Sequence, residues 1–266
     1  MPGRRTPAPF GRRRGAIEAN RAAGTYRVLE VTDPAGPAPR PGQFYMLAAA
    51  ERWGGGDEER PFLPRAFSFL RAGDGRLEFL LEDVGPGTHR LAELQPGDGL
   101  WVTGPLGIGF ARPEAGRAPV LVGGGIGIVP LAGWQDEVGG PALLGFRSAA
   151  HAEAAALLAD PDVATDDGSV GHHGPVTDLL AESLDADPDA VVYACGPPAM
   201  LEAVRALCAG RGVPAQLAME SGMACGFGAC FGCVVPTREG YVRLCLDGPV
   251  LDAAKLETAL VAGSGH

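Results

Sequence analysis

No window of this 266-residue sequence approaches the ~18 consecutive apolar residues that a membrane-spanning helix requires. Positive charge is also scarce: 22 Lys and Arg stand against 32 Asp and Glu, a net charge of −10. A chain so balanced lacks the electrostatic footprint for non-specific nucleic-acid binding, and neither nucleic acid nor membrane is expected as a partner. No internal repeat is visible. The early arginines Arg4, Arg5, Arg12, Arg13 and Arg14 are not followed by the apolar run of an export signal. Residues 1–22 therefore read as a disordered basic tail, and the protein is expected in the cytoplasm.

What is present is enough for real cores. Hydrophobic residues make up 46% of the chain, and its length suits two ordinary domains with an appendage. From Thr25 to about Leu106, short apolar runs at Tyr26–Val31, Gln43–Leu47, Ala66–Leu70, Leu77–Leu81 and Leu100–Thr103 are separated by Pro, Gly and Asp clusters. Such punctuation predicts strands of an antiparallel barrel or sandwich, with Glu51–Pro64 as a surface loop. From Ala118 to about Met219 the pattern changes. Strands Val120–Val122, Ala142–Phe146, Asp162–Thr165, Ala190–Ala194 and Pro214–Ala218 alternate with helices, among them His151–Ala159, Pro175–Leu184 and Pro198–Ala209. That alternation predicts a parallel sheet covered by helices, whose ligands lie beyond the carboxyl ends of the strands. Glu220–His266 is rich in Gly and Cys and lacks periodicity, so something besides hydrophobic burial must hold it.

That something is legible in the cysteines. Cys225, Cys230, Cys233 and Cys245 follow the C-x4-C-x2-C…C spacing of plant-type [2Fe–2S] ferredoxins. Each iron takes two thiolates, and the intervening Gly226, Gly228, Ala229 and Gly232 keep side-chain bulk away so that the loop can wrap a cluster. A structural zinc site also uses four thiolates, but usually from two C-x2-C pairs, and only one such pair is present. Cys208, in a predicted helix, reads as a small buried apolar residue. Cys195 ends a strand at Cys195-Gly196-Pro197, at the mouth of the parallel sheet.

Three further segments have the chemistry of phosphate and ring recognition. Arg65-Ala66-Phe67-Ser68 sets a guanidinium fork and a hydroxyl on alternate faces of a strand. Gly85-Pro-Gly87-Thr88 opens a short helix with N–H groups and a hydroxyl available to an anion. The third segment, Gly104-Pro-Leu-Gly107-Ile-Gly109-Phe110, is another glycine-rich turn. The loop Gly123-Gly124-Gly125-Ile-Gly127-Ile-Val-Pro130 does not complete the G-x-G-x-x-G fingerprint, yet it lies between a strand and a helix start, as a pyrophosphate site requires.

As a set, these segments resemble the ferredoxin-reductase family of flavoproteins. Glu220-Ser-Gly-Met-Ala-Cys225 through Cys233, then Cys245-Leu-Asp-Gly-Pro-Val250, is similar to the electron-transfer subunit of type B, NAD-linked dihydroorotate dehydrogenase, as are Thr165–Ser169 and Gly174–Asp178. The resemblance spans roughly residues 24 to 252. It implies an α+β multidomain chain: an FAD-binding β-barrel over 23–115, an NAD-binding α/β domain over 116–219 and a [2Fe–2S] segment over 220–266. FAD would be held by Arg65, Ala66, Phe67 and Ser68, by Leu80, Leu81 and Glu82, and by Gly87 and Thr88. NAD(H) would dock near Gly123, Gly124, Gly125 and Gly127 and near Cys195, Gly196 and Pro197, with Cys195 against the nicotinamide. The cluster would take Cys225, Cys230, Cys233 and Cys245. An FMN-containing catalytic subunit would complete a heterotetramer of two plus two in pyrimidine biosynthesis, and no proton-transfer residue is needed in this chain. Relatives often carry Tyr-Arg where this chain has Leu81-Glu82. Two other readings remain at this point: a small flavin and iron–sulfur subunit of another NAD(P)H oxidoreductase, such as a ferredoxin–NADP reductase or a hydrogenase diaphorase, and a flavin-free zinc module.

Overall fold

Apolar residues at every second position build the first half of the molecule. The computed structural model describes residues 12–54, 61–187 and 189–261. Strands β1 (Arg13–Ala23), β2 (Tyr26–Thr32), β3 (Phe44–Ala49), β4 (Arg65–Ser68), β5 (Arg71–Gly73), β6 (Arg76–Leu81) and β7 (Gly99–Leu106) form one antiparallel sheet in the order β4-β3-β7-β1-β2-β6-β5. The sheet curls around a core that includes Tyr45, Leu47, Phe69, Phe79, Leu81 and Val102, with Leu91 of helix α1 (Pro86–Ala92) packed into it.

Strand β1 corrects the expectation of a basic tail over residues 1–22. Arg13 donates from Nε and Nη2 to the two Asp33 carboxylate oxygens, both at 2.7 Å, and from Nη2 to the Gly104 carbonyl at 2.9 Å. Ile17 is buried in the barrel core, and Asn20 donates to the Ala92 and Leu94 carbonyls. An arginine with a nearly buried carboxylate partner belongs to the sheet, and composition alone cannot reveal that partner. Residues 1–11 of the expected tail lie outside the described residues.

The second half is the expected parallel sheet. Strands β8 (Ala118–Gly124), β9 (Ala142–Phe146), β10 (Asp162–Thr165), β11 (His172–His173), β12 (Ala190–Cys195) and β13 (Ala215–Ala218) lie in the order β11-β10-β9-β8-β12-β13. Helices α2 (Val129–Val138), α3 (Ala149–Ala152), α4 (Val176–Ala186) and α5 (Pro198–Arg211) alternate with them. Because successive strand residues face opposite ways, Val120, Val122, Val192 and Ala194 join one core with α4 and α5. Leu121 and Tyr193 join another core with α2. The helix expected at His151–Ala159 is instead the single turn α3 followed by a 3-10 turn over Glu153–Leu157, tightened so that Ala154, Ala155 and Leu158 are buried.

Aromatic packing locks the two sheets together. Phe110, at the barrel exit, meets Trp134 and Tyr193 with ring centroids 5.7 and 5.5 Å apart, and the Tyr193 hydroxyl donates to the Ala111 carbonyl at 3.0 Å. The cysteine-bearing segment is similarly tied in. It forms a hairpin of β14 (Val234–Thr237) and β15 (Gly240–Arg243), a one-turn helix α6 (Leu244–Asp247) and β16 (Val250–Asp252). Strand β16 pairs antiparallel with β13, so the segment supplies the last strand of the nucleotide-type sheet. Among the described residues no helix is long and apolar enough to cross a membrane.

Candidate functional site

The chain leaves β8 toward β9, β10 and β11 on one side, then returns to β12 and β13 on the other. Adjacent strands whose connections depart in opposite directions leave a crevice at their carboxyl ends, where α/β sheets bind ligands. Gly123 and Cys195 are ladder partners there, so the glycine loop and Cys195-Gly196-Pro197 lie side by side. Their contact is close: a Cβ on Gly127 would lie 2.5 Å from the Cys195 carbonyl carbon, and one on Gly124 would lie 2.5 Å from Met200 Sδ. Gly125 takes a left-handed φ of 53°. The Cys195 thiol is buried, and burial, followed by the Glu220 charge, pushes it well above its ordinary range.

The Arg65–Ser68 segment is β4, an edge strand of the barrel, pairing Ala66 with Met46 and Ser68 with Phe44. Phe67 packs against the barrel core. Arg65 crosses the start of α1: a Cβ on Gly87 would sit 2.5 Å from Arg65 Nε. Guanidinium and helix start therefore share one surface. The Thr88 hydroxyl serves the turn itself, accepting from the Val84 and Gly85 N–H groups and donating to the Gly85 carbonyl. Leu80 and Leu81 are buried in opposite cores, and Glu82 after them is half-buried. The glycine-rich turn at Gly104–Phe110 has a structural role. Gly107 packs on Gly248 and Pro249, its carbonyl accepts from the buried Gln43 amide at 2.8 Å, and Ile108 bridges to Pro249.

The four cysteines meet as two pairs. The Cys225 and Cys230 thiols are within hydrogen-bonding reach of one another, as are those of Cys233 and Cys245. Backbone donors surround them. Cys225 Sγ accepts from Ala229 N–H at 3.3 Å, and the nearby N–H groups of Phe227 and Cys230 also favour its thiolate. Cys233 Sγ accepts from Cys245 N–H at 3.5 Å, and the Gly228 N–H lies where it favours the Cys245 thiolate. Burial opposes the Cys225 thiolate, but these donors together with the Cys230 thiol outweigh it and draw the thiol down to about 6. Burial and then the neighbouring Cys233 push Cys245 up to about 12.

Left-handed backbone at Gly226 (φ 77°) and Gly228 (φ 85°) shapes the loop. A Cβ on Gly226 would lie 2.6 Å from Met46 Cγ. The cysteine loop thus rests on the rung that pairs Met46 with Ala66 of β4. Among the described residues no three His, Cys, Asp or Glu side chains converge on a point where one ion would be held. Two thiol pairs lined by N–H donors suit a cluster with two thiolates per iron better than a single four-coordinate ion.

Sequence reasoning missed two parts of this region. Glu220 and Ser221 follow β13 at the same edge of the sheet, and the Ser221 hydroxyl oxygen is buried without a partner. Their position just past a strand's carboxyl end was the available signal. Phe227 and Phe231 flank the exposed Cys230 and are themselves 61% and 62% exposed. Phe231 has φ 60° and lies under the Arg243 guanidinium, 5.1 Å from the ring centre.

A curled antiparallel sheet joined to a parallel sheet, with a switch-point crevice at the carboxyl ends of β8 and β12, defines the class of ferredoxin-reductase-like oxidoreductases. A chain in the structure of an NADH-dependent reduced ferredoxin-NADP oxidoreductase superposes with a TM-score of 0.76 at 25% identity, covering 92% of this chain and 90% of that one. The ferredoxin reductase in carbazole 1,9a-dioxygenase superposes with 0.63 at 25% identity, covering 78% and 67%. Residues 220–257 match the iron–sulfur cluster binding domain of dihydroorotate dehydrogenase B. The Geobacillus thermodenitrificans electron transfer subunit of dihydroorotate dehydrogenase B (NAD(+)) is 38% identical over 267 residues, covering 93% of this chain and 99% of that protein. The Bacillus caldolyticus subunit is 40% identical over 234 residues, covering 82% and 86%. This chain belongs to the family of dihydroorotate dehydrogenase B electron transfer subunits.

Proposed function

We propose that this chain relays electrons between NAD(H) and the catalytic subunit of a dihydroorotate dehydrogenase B through FAD and a [2Fe–2S] cluster. The observation that supports the reading is the seating of the cysteine loop, through Gly226, on Met46, the ladder partner of Ala66 in β4. Cys225 with Cys230, and Cys233 with Cys245, would each hold one iron. Arg65 and the N–H groups of Gly87 and Thr88 would bind the FAD phosphates, while Ser68 and the backbone of Leu80–Glu82 would face its ring and ribityl chain. The glycine loop Gly123–Gly127 and Cys195–Pro197 would carry NAD(H), stacked from the other side of the crevice. Bound FAD exchanges hydride equivalents for single electrons, which NAD(H) and the cluster each handle in only one form.

The exposure of Cys230, flanked by Phe227 and Phe231, supports electron exit at that face; the acceptor would be an FMN-containing partner in a cytoplasmic assembly of two plus two subunits. Co-expression with a candidate FMN subunit is expected to give NAD⁺-dependent dihydroorotate oxidation. It is also expected to give a complex whose mass matches two plus two, weakened by Phe227→Ser/Phe231→Ser. Purified protein lacking flavin absorption, or silent by EPR after dithionite reduction, would refute the proposal. The superposition with the ferredoxin-NADP oxidoreductase chain favours a second reading, a small subunit serving another acceptor. Ferredoxin reduction without dihydroorotate oxidation in the co-expressed complex would select it.

A further inference from the structure

Where the β1–β2 turn meets the carboxyl end of β9, the two sheets bring together polar side chains that the proposed electron path does not use. Gly24 lies against the Ala150 carbonyl, and Tyr26 meets the His151 ring edge-on, with centroids 6.0 Å apart. Ser148 Oγ holds His151 Nδ1 at 3.0 Å. The other ring nitrogen faces Glu82, which follows β6 in the barrel, at 3.9 Å. Arg147 is exposed directly after β9. Burial pushes the Tyr26 hydroxyl up to about 12, with the Glu82 charge reinforcing the shift and the Arg147 charge opposing it. A Cβ on Gly125 would lie 3.7 Å from that oxygen, and the group therefore opens onto the glycine loop.

Beyond the second strand of an α/β nucleotide sheet, a carboxylate accepts from a free ribose 2′-hydroxyl, whereas an arginine accommodates a 2′-phosphate. Here the strand contributes the arginine and the barrel contributes the carboxylate. We infer that Glu82 is a specificity-determining residue that restricts the dinucleotide to one with a free 2′-hydroxyl, by offsetting Arg147 and repelling a 2′-phosphate across the crevice. The inference rests on NAD(H) lying along Gly123–Gly127, as proposed above. His151 and Ser148 act as positioning residues for the carboxylate, since their hydrogen bond turns the ring toward Glu82.

Equilibrium binding of NADH and NADPH to the FAD-loaded protein, read by fluorescence quenching, tests this. Wild type is expected to prefer NADH, and adenosine 2′,5′-bisphosphate is expected to compete about tenfold less well than adenosine 5′-monophosphate. Glu82→Gln is expected to raise NADPH affinity about tenfold, the size of effect that removing one like charge has in a partly screened site. Adding Arg147→Ala is expected to abolish that gain. Unchanged discrimination in Glu82→Gln, equal competition by the two adenosine phosphates, or a gain that survives loss of Arg147 overturns the inference and leaves the nucleotide placement intact. Wild-type protein with no affinity for either dinucleotide overturns both.

Discussion

Replacing Gly127 with alanine tests the crevice most sharply, because the three nearest atoms the new methyl would meet are all backbone. It would lie 2.5 Å from the Cys195 carbonyl carbon and 2.6 Å from Gly196 Cα, with the carbonyl oxygen nearer still. No side chain can rotate away. The two segments cannot part freely either, since Cys195 and Gly123 are ladder partners. Reaching ordinary carbon–carbon contact requires a shift of about 1 Å. Overpacking of this kind costs about 1–3 kcal/mol of stability. The larger effect falls on NADH, because a displacement of about 1 Å in a positioning element can cost about 100-fold in rate. The assay is NADH oxidation with an artificial electron acceptor on FAD-loaded protein, alongside a thermal melt. Gly210→Ala is the control: it lies in α5 with nothing within 4 Å of its added methyl, and is expected to gain about 0.5–1 kcal/mol from helix propensity. A Gly127→Ala protein with unchanged kcat/KM for NADH would refute the reasoning.

Other expectations follow from particular contacts. Cys233→Ser and Cys245→Ser should lose iron and lower Tm, because both thiols sit in a core with Val235, Leu244 and Leu251. Cys230→Ser, at an exposed position, should lose iron with a smaller fall in Tm; iron analysis and EPR follow the first effect, calorimetry the second. Arg13→Ala strands the Asp33 carboxylate, only 6% exposed, without its cation, and should cost about 3–5 kcal/mol in urea denaturation. Glu202 accepts from Arg205, Thr258 and the Ala259 N–H. The Arg205 hydrogen bond leads these partners in outweighing burial, and together they hold the carboxyl at about 2, below its ordinary 4.5. A depressed carboxylate stabilises above its unfolded value and loses that contribution as it protonates. Docking of the Thr258–Ala259 segment should therefore loosen as pH falls from about 4.5 to about 2, as read by hydrogen exchange, and Glu202→Gln should remove that dependence.

The cysteine spacing and the strand–helix alternation were legible because both are local: ligand positions in a loop and hydrophobic periodicity survive in one dimension. Strand β1 was not, because Arg13 in isolation reads as one of a run of surface arginines, and its partner Asp33 lies across a hairpin. The turn at Gly104–Phe110 has the composition of a ligand loop, yet its glycines admit Gly248, Pro249 and Pro41 instead. Thr88 shows the same limit within a single turn, where its hydroxyl is occupied by Gly85 rather than presented outward. The grouping of Tyr26, Glu82, Arg147 and His151 depends on how two sheets meet, and no single stretch of chain brings the four together.

Strand β16 would link cluster loading at the proposed ligand Cys245 to the integrity of the nucleotide-type sheet. It follows Cys245 by only a few residues and covers the edge of β13. If the proposed ligand Cys245 goes unligated, β16 keeps only its own packing and its bridge from Ile108 to Pro249, and any fraying exposes the edge of β13 to neighbouring chains. Cells short of iron are accordingly expected to accumulate this protein in aggregates or clear it by proteolysis, rather than to keep a soluble flavoprotein that merely lacks its cluster.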